Sequence, residues 1–388
     1  MFTSSANVEE LIRNFRVVAA TTFRYSSFVP RLYNYVKSMG CEPGSILPSR
    51  AFCSDENQGY PIILITKHFG TFPFNLGRGG AVVATDRHGP YTEHGETLAI
   101  IQASHVGYDP HSNSFGTYNR IHTSHNRHTA CCGKLTAVID WYREQYRIAR
   151  SDVLLERCND QLCLRIDNGL LRGKRQDGLF FNMRRLVARD ADGNFTPTNT
   201  HSTSKSFVAS SSLQHELKHL EPELQDGRRI PIGEHLKPDM FYFRRNLDET
   251  VLGRDHMEMN LIYPMPWIVT SPWPALTAAQ INTQVEFDRT LRTVAHAPSF
   301  REKCLFYISG LNIDVSPQMG EIFPTTKFVP WAAFLRDRKG NQQILEQAEL
   351  VDQLRHQSRQ NPDEIELDAA IRNMAEAKSV KISVPDVE

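Results

Sequence analysis

Apolar residues recur at helical spacing near the start of the chain, at Val8, Leu11, Ile12, Phe15 and Val18, behind an Asn7 able to cap and a Glu10 three residues on. A second helix is expected over residues 31–38, closed by Gly40. From Ser45 the texture changes to short apolar runs set off by glycine. Residues 62–65, 81–84 and 98–101 each predict a buried strand. A strong helical stripe follows over residues 134–148, with Leu135, Val138, Ile139, Tyr142 and Tyr146 on one face. Buried strands mixed with helices predict an α/β fold with a mostly parallel sheet flanked by helices.

The stretch from 151 to 298 is less regular. Extended segments are expected at 179–189, 240–245 and 261–268, with a Ser/Thr-rich stretch at 196–212 and proline turns at 264–274. A helix over 278–294 closes it, and residues 305–313 read as another buried strand. After Trp331 the chain turns polar. An amphipathic helix is expected over 343–356, striped by Ile344, Leu345, Leu350, Val351 and Leu354, and another over 363–377. The division this suggests joins 1–150 and 299–335 in one domain, makes 151–298 an insertion or second domain, and leaves 336–388 as a helical C-terminal extension.

Composition narrows the class. Of 388 residues, 40% are hydrophobic and 23% charged, which excludes wholesale disorder and collagen-like structure. Lys plus Arg equals Asp plus Glu at 44 each, so there is no overall positive field and no nucleic-acid partner is expected. The apolar runs fall well short of the roughly 18 residues of a membrane helix. Glu9 and Glu10 interrupt the start before any signal-like apolar region, so a soluble, cytoplasmic protein with no membrane partner is expected. The 7 cysteines, an odd number, argue against a disulfide framework, and the 15 histidines point to metal chemistry.

Three potential ligands fall where an α/β sheet binds its ligands, at or beyond the carboxyl ends of strands. Cys53 sits in Phe52-Cys53-Ser54-Asp55, His105 is expected to follow the strand at 98–101, and Cys132 opens the helix that starts at Lys134. A cysteine at a helix N-terminus faces unpaired N–H groups and a positive dipole end, which favours the thiolate that zinc requires. Two thiolates and an imidazole leave zinc a fourth position for water, whose pKa falls to near 7. Asp55 can compete for that position or orient the water.

Residues 53–56, the strand at 79–83, Ser104-His105-Val106-Gly107 and Cys131-Cys132-Gly133 together resemble the low-carbon-dioxide-inducible protein B (LCIB) family, itself similar to β-carbonic anhydrases. The resemblance covers about 45–145 and, more weakly, 304–330, where residues 305–313 and 323–328 look like the closing strand and downstream turn. It implies that Cys53, His105 and Cys132 hold zinc, with Cys132 chosen over Cys131 for its adjacency to Gly133. It further implies that carbon dioxide is hydrated to bicarbonate, that Asp55 hydrogen-bonds the hydroxide or caps the metal at rest, and that the protein is a homodimer. One departure stands out. β-Carbonic anhydrases place an arginine two residues after that aspartate and pair the two, whereas this chain has Asn57, which leaves Arg78 or Arg87 as substitutes. A non-catalytic zinc protein is therefore the main alternative.

Other motifs carry less. His215-Glu216-Leu217-Lys218-His219 has the HExxH spacing of a zinc metalloprotease helix, with Glu216 as base, but Pro222 curtails the helix and only Glu234 offers a third ligand. His122, His125 and His128 fall in a polar loop suited to solvated histidines or proton shuttling. Cys158 and Cys163 form half of a metal motif without a second half. Residues 77–80 are glycine-rich but lack the Lys-Ser/Thr of a phosphate loop.

Overall fold

The computed structural model of the chain describes residues 5–78, 82–83, 97–122, 125–171, 176–247, 254–297, 300–301, 303–321 and 323–376. In chain order, the elements that position the site are α1 (Ser5–Asn14), α2 (Tyr25–Ser38), β1 (Ile46–Ala51), α3 (Gly59–Phe69), β2 (Thr97–Asp109) and α4 (Gly133–Asp152). They are followed by α5 (Arg254–Leu261), α6 (Met265–Thr270), α7 (Pro274–His296), β3 (Cys304–Val315), β4 (Thr325–Arg336) and α8 (Gln347–His356).

The expected α/β class is the one observed. β1, β2 and β3 lie side by side in parallel with β2 in the middle, and the short strand Phe74–Asn75 continues the parallel set beyond β1. β4 closes the other side antiparallel to β3, and Phe23–Arg24 and Gln342–Leu345 pair along it. β2 and β3 are covered on both faces, which is why their sequences are nearly continuous apolar runs rather than alternating ones. Ala99, Ile101 and Ala103 face Tyr25, Phe28 and Leu32 of α2, with Leu350 and Leu354 of α8 in the same cluster. Leu98 and Ile100 face the opposite way, towards Phe287 and Val294 of α7.

Between α4 and α5 the chain builds a five-stranded antiparallel sheet whose central strands are Val153–Cys158 and Gln161–Asp167, together with a hairpin of Gly178–Phe181 and Phe241–Arg244. The α4 stripe joins this sheet to the site. Tyr142, Val153, Leu155 and Leu164 belong to one contiguous core with Cys53, Val106 and Cys132. α7, at the end of the long middle stretch, packs directly on β2 and β3. Among the described residues, no helix is long and apolar enough to cross a membrane.

Several expected elements differ. Residues 62–65 lie within α3 instead of a strand, because a four-residue apolar run fits either state. That helix ends where Gly70 takes the left-handed conformation (φ 75°) and donates its N–H to Thr66. Residues 261–268 are the end of α5, a turn and the start of α6, not an extended segment. Pro266 sits in the first turn of α6, where its missing N–H costs nothing. Only Gly178–Phe181 of 179–189 is regular strand, and Met183–Leu186 turns helical. The expected helix over 343–356 begins as the strand Gln342–Leu345 before α8. The polar loop carrying the three histidines is a hairpin of Thr117–His122 and His125–Ala130. Of 81–84 the described part is the strand Val82–Val83, and residues past 376 lie outside the described residues.

Arg336, at the end of β4, shows how a buried charge is accommodated. It is 3% exposed, and its guanidinium donates to the carbonyls of Val294 and Ala295 in the last turn of α7 and to those of Phe300 and Arg301 beyond it. The last carbonyls of a helix have no partner within it, so this side chain acts as their cap. Arg336→Leu should cost about 2–4 kcal/mol by leaving buried carbonyls unpaired. Urea denaturation measures this; a loss below about 0.5 kcal/mol would mean that water replaces the guanidinium.

Candidate metal centre

Three separate elements deliver the candidate ligands. From β1 the chain runs through Phe52 to Cys53, and the strand Gly77–Arg78 passes directly over it. A Cβ at Gly77 would lie 2.1 Å from the Phe52 carbonyl oxygen, so only glycine fits there. His105 lies inside β2 and not beyond its end, because the strand continues to Asp109. Cys132 is the N-cap residue of α4 and makes no side-chain capping bond, which leaves its sulfur free to face elsewhere. Gly107 brings β2 against the preceding residue: its N–H donates to the Cys131 carbonyl at 2.9 Å, and a Cβ there would lie 2.8 Å from that of Cys131.

The ligand atoms of Cys53, His105 and Cys132 all lie within 4.8 Å of one another, and all three residues are buried. The two sulfurs are 3.9 Å apart. His105 Nδ1 lies 2.8 Å from Asp314 Oδ2, while its Nε2 is buried with no hydrogen-bond partner among the described residues. A buried ring nitrogen left unpaired costs free energy unless something else occupies its lone pair. Once the ring is neutral, donation from Nδ1 to the carboxylate selects the tautomer whose Nε2 is available as a ligand. The arrangement is thus a buried Cys/His/Cys group able to hold a metal ion.

A second, overlapping group contains Asp55, His105 and Cys131. Asp55 is half-buried, with Oδ2 3.9 Å from His105 Nε2. Cys131 lies nearer Nδ1, at 3.6 Å, and its sulfur is 3.5 Å from both Asp314 Oδ2 and Asn57 Nδ2. Of the two adjacent cysteines, Cys132 is therefore the one grouped with Cys53.

Burial and neighbouring groups together push Cys132, Cys131 and His105 towards their protonated forms. Hydrogen bonding to Cys53 and burial both push the Cys132 thiol well up. Burial, followed by the Asp314 charge, pushes Cys131 up to about 12. Burial works against protonation of His105, but Cys132, Asp314 and Cys131 outweigh it and its pKa rises well above the ordinary value. Burial, then a hydrogen bond with Glu56, lifts Asp55 to about 7, against the pull of His105. A bound divalent cation reverses this balance and releases protons as it binds.

Asp314 is the residue that sequence reasoning missed. It is fully buried on β3 and accepts from Gln58 Nε2 at 3.0 Å and Thr326 Oγ1 at 2.8 Å as well as facing His105. Gln58 in turn accepts from Asn312 Nδ2, and Asn312 accepts from the Tyr25 hydroxyl at 2.9 Å. The available signal was a carboxylate inside the apolar run of β3, since such a charge is almost never fully buried without partners.

The remaining candidates lie elsewhere. Asn57 is buried, accepting from the Tyr118 hydroxyl at 2.7 Å and facing Cys131, so it serves as a structural hydrogen-bonder. Among the described residues no arginine reaches Asp55. Arg87 lies outside those residues, as does the side chain of Arg78. The HExxH spacing does not produce a zinc helix, because the helix Ser211–Glu216 ends before His219, which lies in a following 3-10 segment. Glu216 is held in ion pairs by Arg185 and Lys237, and the Pro222 that curtails the helix lies in that 3-10 segment. His215 and His219 join no ligand group among the described residues. His128 is exposed, 3.8 Å from Asp109, and the side chains of His122 and His125 lie outside the described residues. Cys158 and Cys163 occupy one hairpin and belong to no ligand group among the described residues.

No family model and no curated protein matches the chain. It is similar to solved structures at low identity. The crystal structure of PtLCIB4, a homolog of the limiting CO2-inducible protein LCIB, aligns over 88% of this chain and 99% of its own, with 11% identity and a TM-score of 0.46. The crystal structure of LCIB aligns over 87% of this chain and 98% of its own, with 12% identity and a TM-score of 0.42.

If Asp314 orients His105 for a metal, Asp314→Asn should weaken zinc binding about 10–100-fold while leaving the fold intact. Competition against a chromophoric chelator measures this directly. An unchanged affinity would show that Nδ1 needs no carboxylate.

Proposed function

We propose that the chain is a zinc-dependent carbonic anhydrase, with Cys53, His105 and Cys132 as the protein ligands and carbon dioxide as substrate. The observation that carries this reading is the Nε2 of His105, buried without a hydrogen-bond partner among the described residues and set beside two cysteine sulfurs. The donor set is the one zinc prefers, and two sulfurs sharing a tetrahedral zinc stand about 3.8 Å apart, close to the 3.9 Å between Cys53 and Cys132. The motif resemblance of Cys53-Ser54-Asp55, His105 and Cys132 to the β-carbonic anhydrase pattern supports the same assignment.

Held by Cys53, His105 and Cys132, zinc would supply a Lewis acid able to make hydroxide available near neutral pH. The chain's own contributions are separable. Cys53 and Cys132 would give up their protons to serve as thiolate ligands, and Asp314 holds the His105 ring through Nδ1, leaving Nε2 to the sulfur side. A cavity of about 10 Å³, walled in part by Ser104, Leu135, Met257 and Asn282, adjoins His105 and Cys132. That is space for about one water and none for a peptide.

A second reading rests on Asp55, which lies 3.9 Å from Nε2 with no arginine beside it among the described residues. On this reading the Asp55 carboxylate would take the remaining position and close the site, and the chain would be a zinc protein without turnover.

Stopped-flow carbon dioxide hydration on protein of known zinc content, beside Cys53→Ser, separates these readings. The enzyme reading predicts zinc-dependent hydration that falls to the uncatalysed background in the variant. One zinc per chain without hydration contradicts the enzyme and favours the closed site, and absence of zinc contradicts both.

A further inference from the structure

A second pair of thiols lies at the opposite end of the central sheet. Cys41 follows the turn at Gly40 that ends α2, and Cys304 is the first residue of β3. Their sulfurs are 3.1 Å apart, and each residue is 3% exposed within the apolar cluster that holds Phe306, Val36 and Ile46. Parallel pairing sets Cys304 against Thr97 and Asn312 against His105. Eight residues of strand at about 3.3 Å each put roughly 26 Å between this pair and the candidate metal centre.

We propose that Cys41 and Cys304 are a reversible disulfide site, oxidised by a small oxidant such as hydrogen peroxide and independent of the metal centre. The chain brings together two sulfurs 263 positions apart and seals them in contact at 3.1 Å, so disulfide formation has to draw them together by only about 1 Å. Burial restricts the oxidant to a small molecule. The two thiols are also unequal. The Cys304 hydrogen bond, opposed by burial and helped by Arg338, lowers Cys41 to about 7, whereas the bond to Cys41 and burial raise Cys304. We take Cys41, beside the turn at Gly40, as the nucleophile and Cys304, held in β3, as the resolving thiol.

The Cys41 thiolate attacks one peroxide oxygen, the O–O bond breaks, and the departing hydroxide takes up a proton to leave as water. Cys41 is then a sulfenic acid. The Cys304 sulfur attacks the Cys41 sulfur, the S–O bond breaks, and hydroxide leaves with the Cys304 proton as a second water. Overall one peroxide is reduced to two waters while two thiols become one disulfide. A dithiol reductant reverses it. The product ties the end of α2 to the start of β3.

The test is peroxide treatment of the zinc-loaded full chain, followed by alkylation and peptide mapping without reduction. The proposal predicts joint loss of alkylation at Cys41 and Cys304, appearance of their cross-linked peptide, and recovery of both thiols with dithiothreitol. In Cys304→Ser, Cys41 should instead be trapped by dimedone as the sulfenic acid. Unchanged alkylation at both positions in the wild-type chain would overturn the proposal, and so would sulfinic acid at Cys41 with Cys304 still alkylated. Cross-linking of Cys53 to Cys132 in place of Cys41 to Cys304 would also overturn it.

Discussion

A carboxyl group with no exposed surface has to find its partners inside the protein, and Asp314 finds them on three other elements. It meets His105 on β2, Thr326 on β4 and Gln58 in the turn before α3. Burial of this group is tolerable only while those bonds hold, so it constrains the relative position of all four. The parallel register that pairs Asn312 with His105 brings Asp314 onto the same face of the sheet as the imidazole. A slip of one residue would send it to the face covered by α7 and strand both groups.

The candidate centre is then enclosed by helices from the far side of the chain. Met257 of α5 and Asn282 of α7 border the small cavity, and Asn282 donates to Ser104, the residue before His105. Asn260 of α5 bridges to Asn282 and Glu286 of α7, tying those helices to each other. α4 contributes from its N-terminus through Cys132, while its other end leads into the second sheet. Chemistry and scaffold thus share one core, and the long middle stretch forms part of the wall of the site.

Much of this was legible in the chain because it is local. The α4 stripe from Leu135 to Tyr146, the buried run at 98–101 and the cysteine ahead of a helix are all patterns within a few residues. What was not legible depends on distance. Residues 62–65 form a helix because α3 packs on α2, which a four-residue run cannot announce. Asp314 becomes meaningful only when β3 lies beside β2, two hundred residues away in sequence. Asn57 read as a missing arginine, whereas its contacts with Tyr118 and Cys131 show a side chain already committed to holding the turn. The HExxH spacing carries no ligand geometry here, because that needs a helix that continues, and this one stops at Glu216.

The central claim is that two cysteines and a histidine oriented by Asp314 form one metal-binding group. X-ray absorption at the zinc edge on purified protein tests it most directly. The account predicts one zinc per chain with two sulfur neighbours at about 2.3 Å, one imidazole and one further light atom, and loss of a sulfur in Cys132→Ser. A shell made only of nitrogen and oxygen, or sulfur coordination unchanged in that variant, would contradict it.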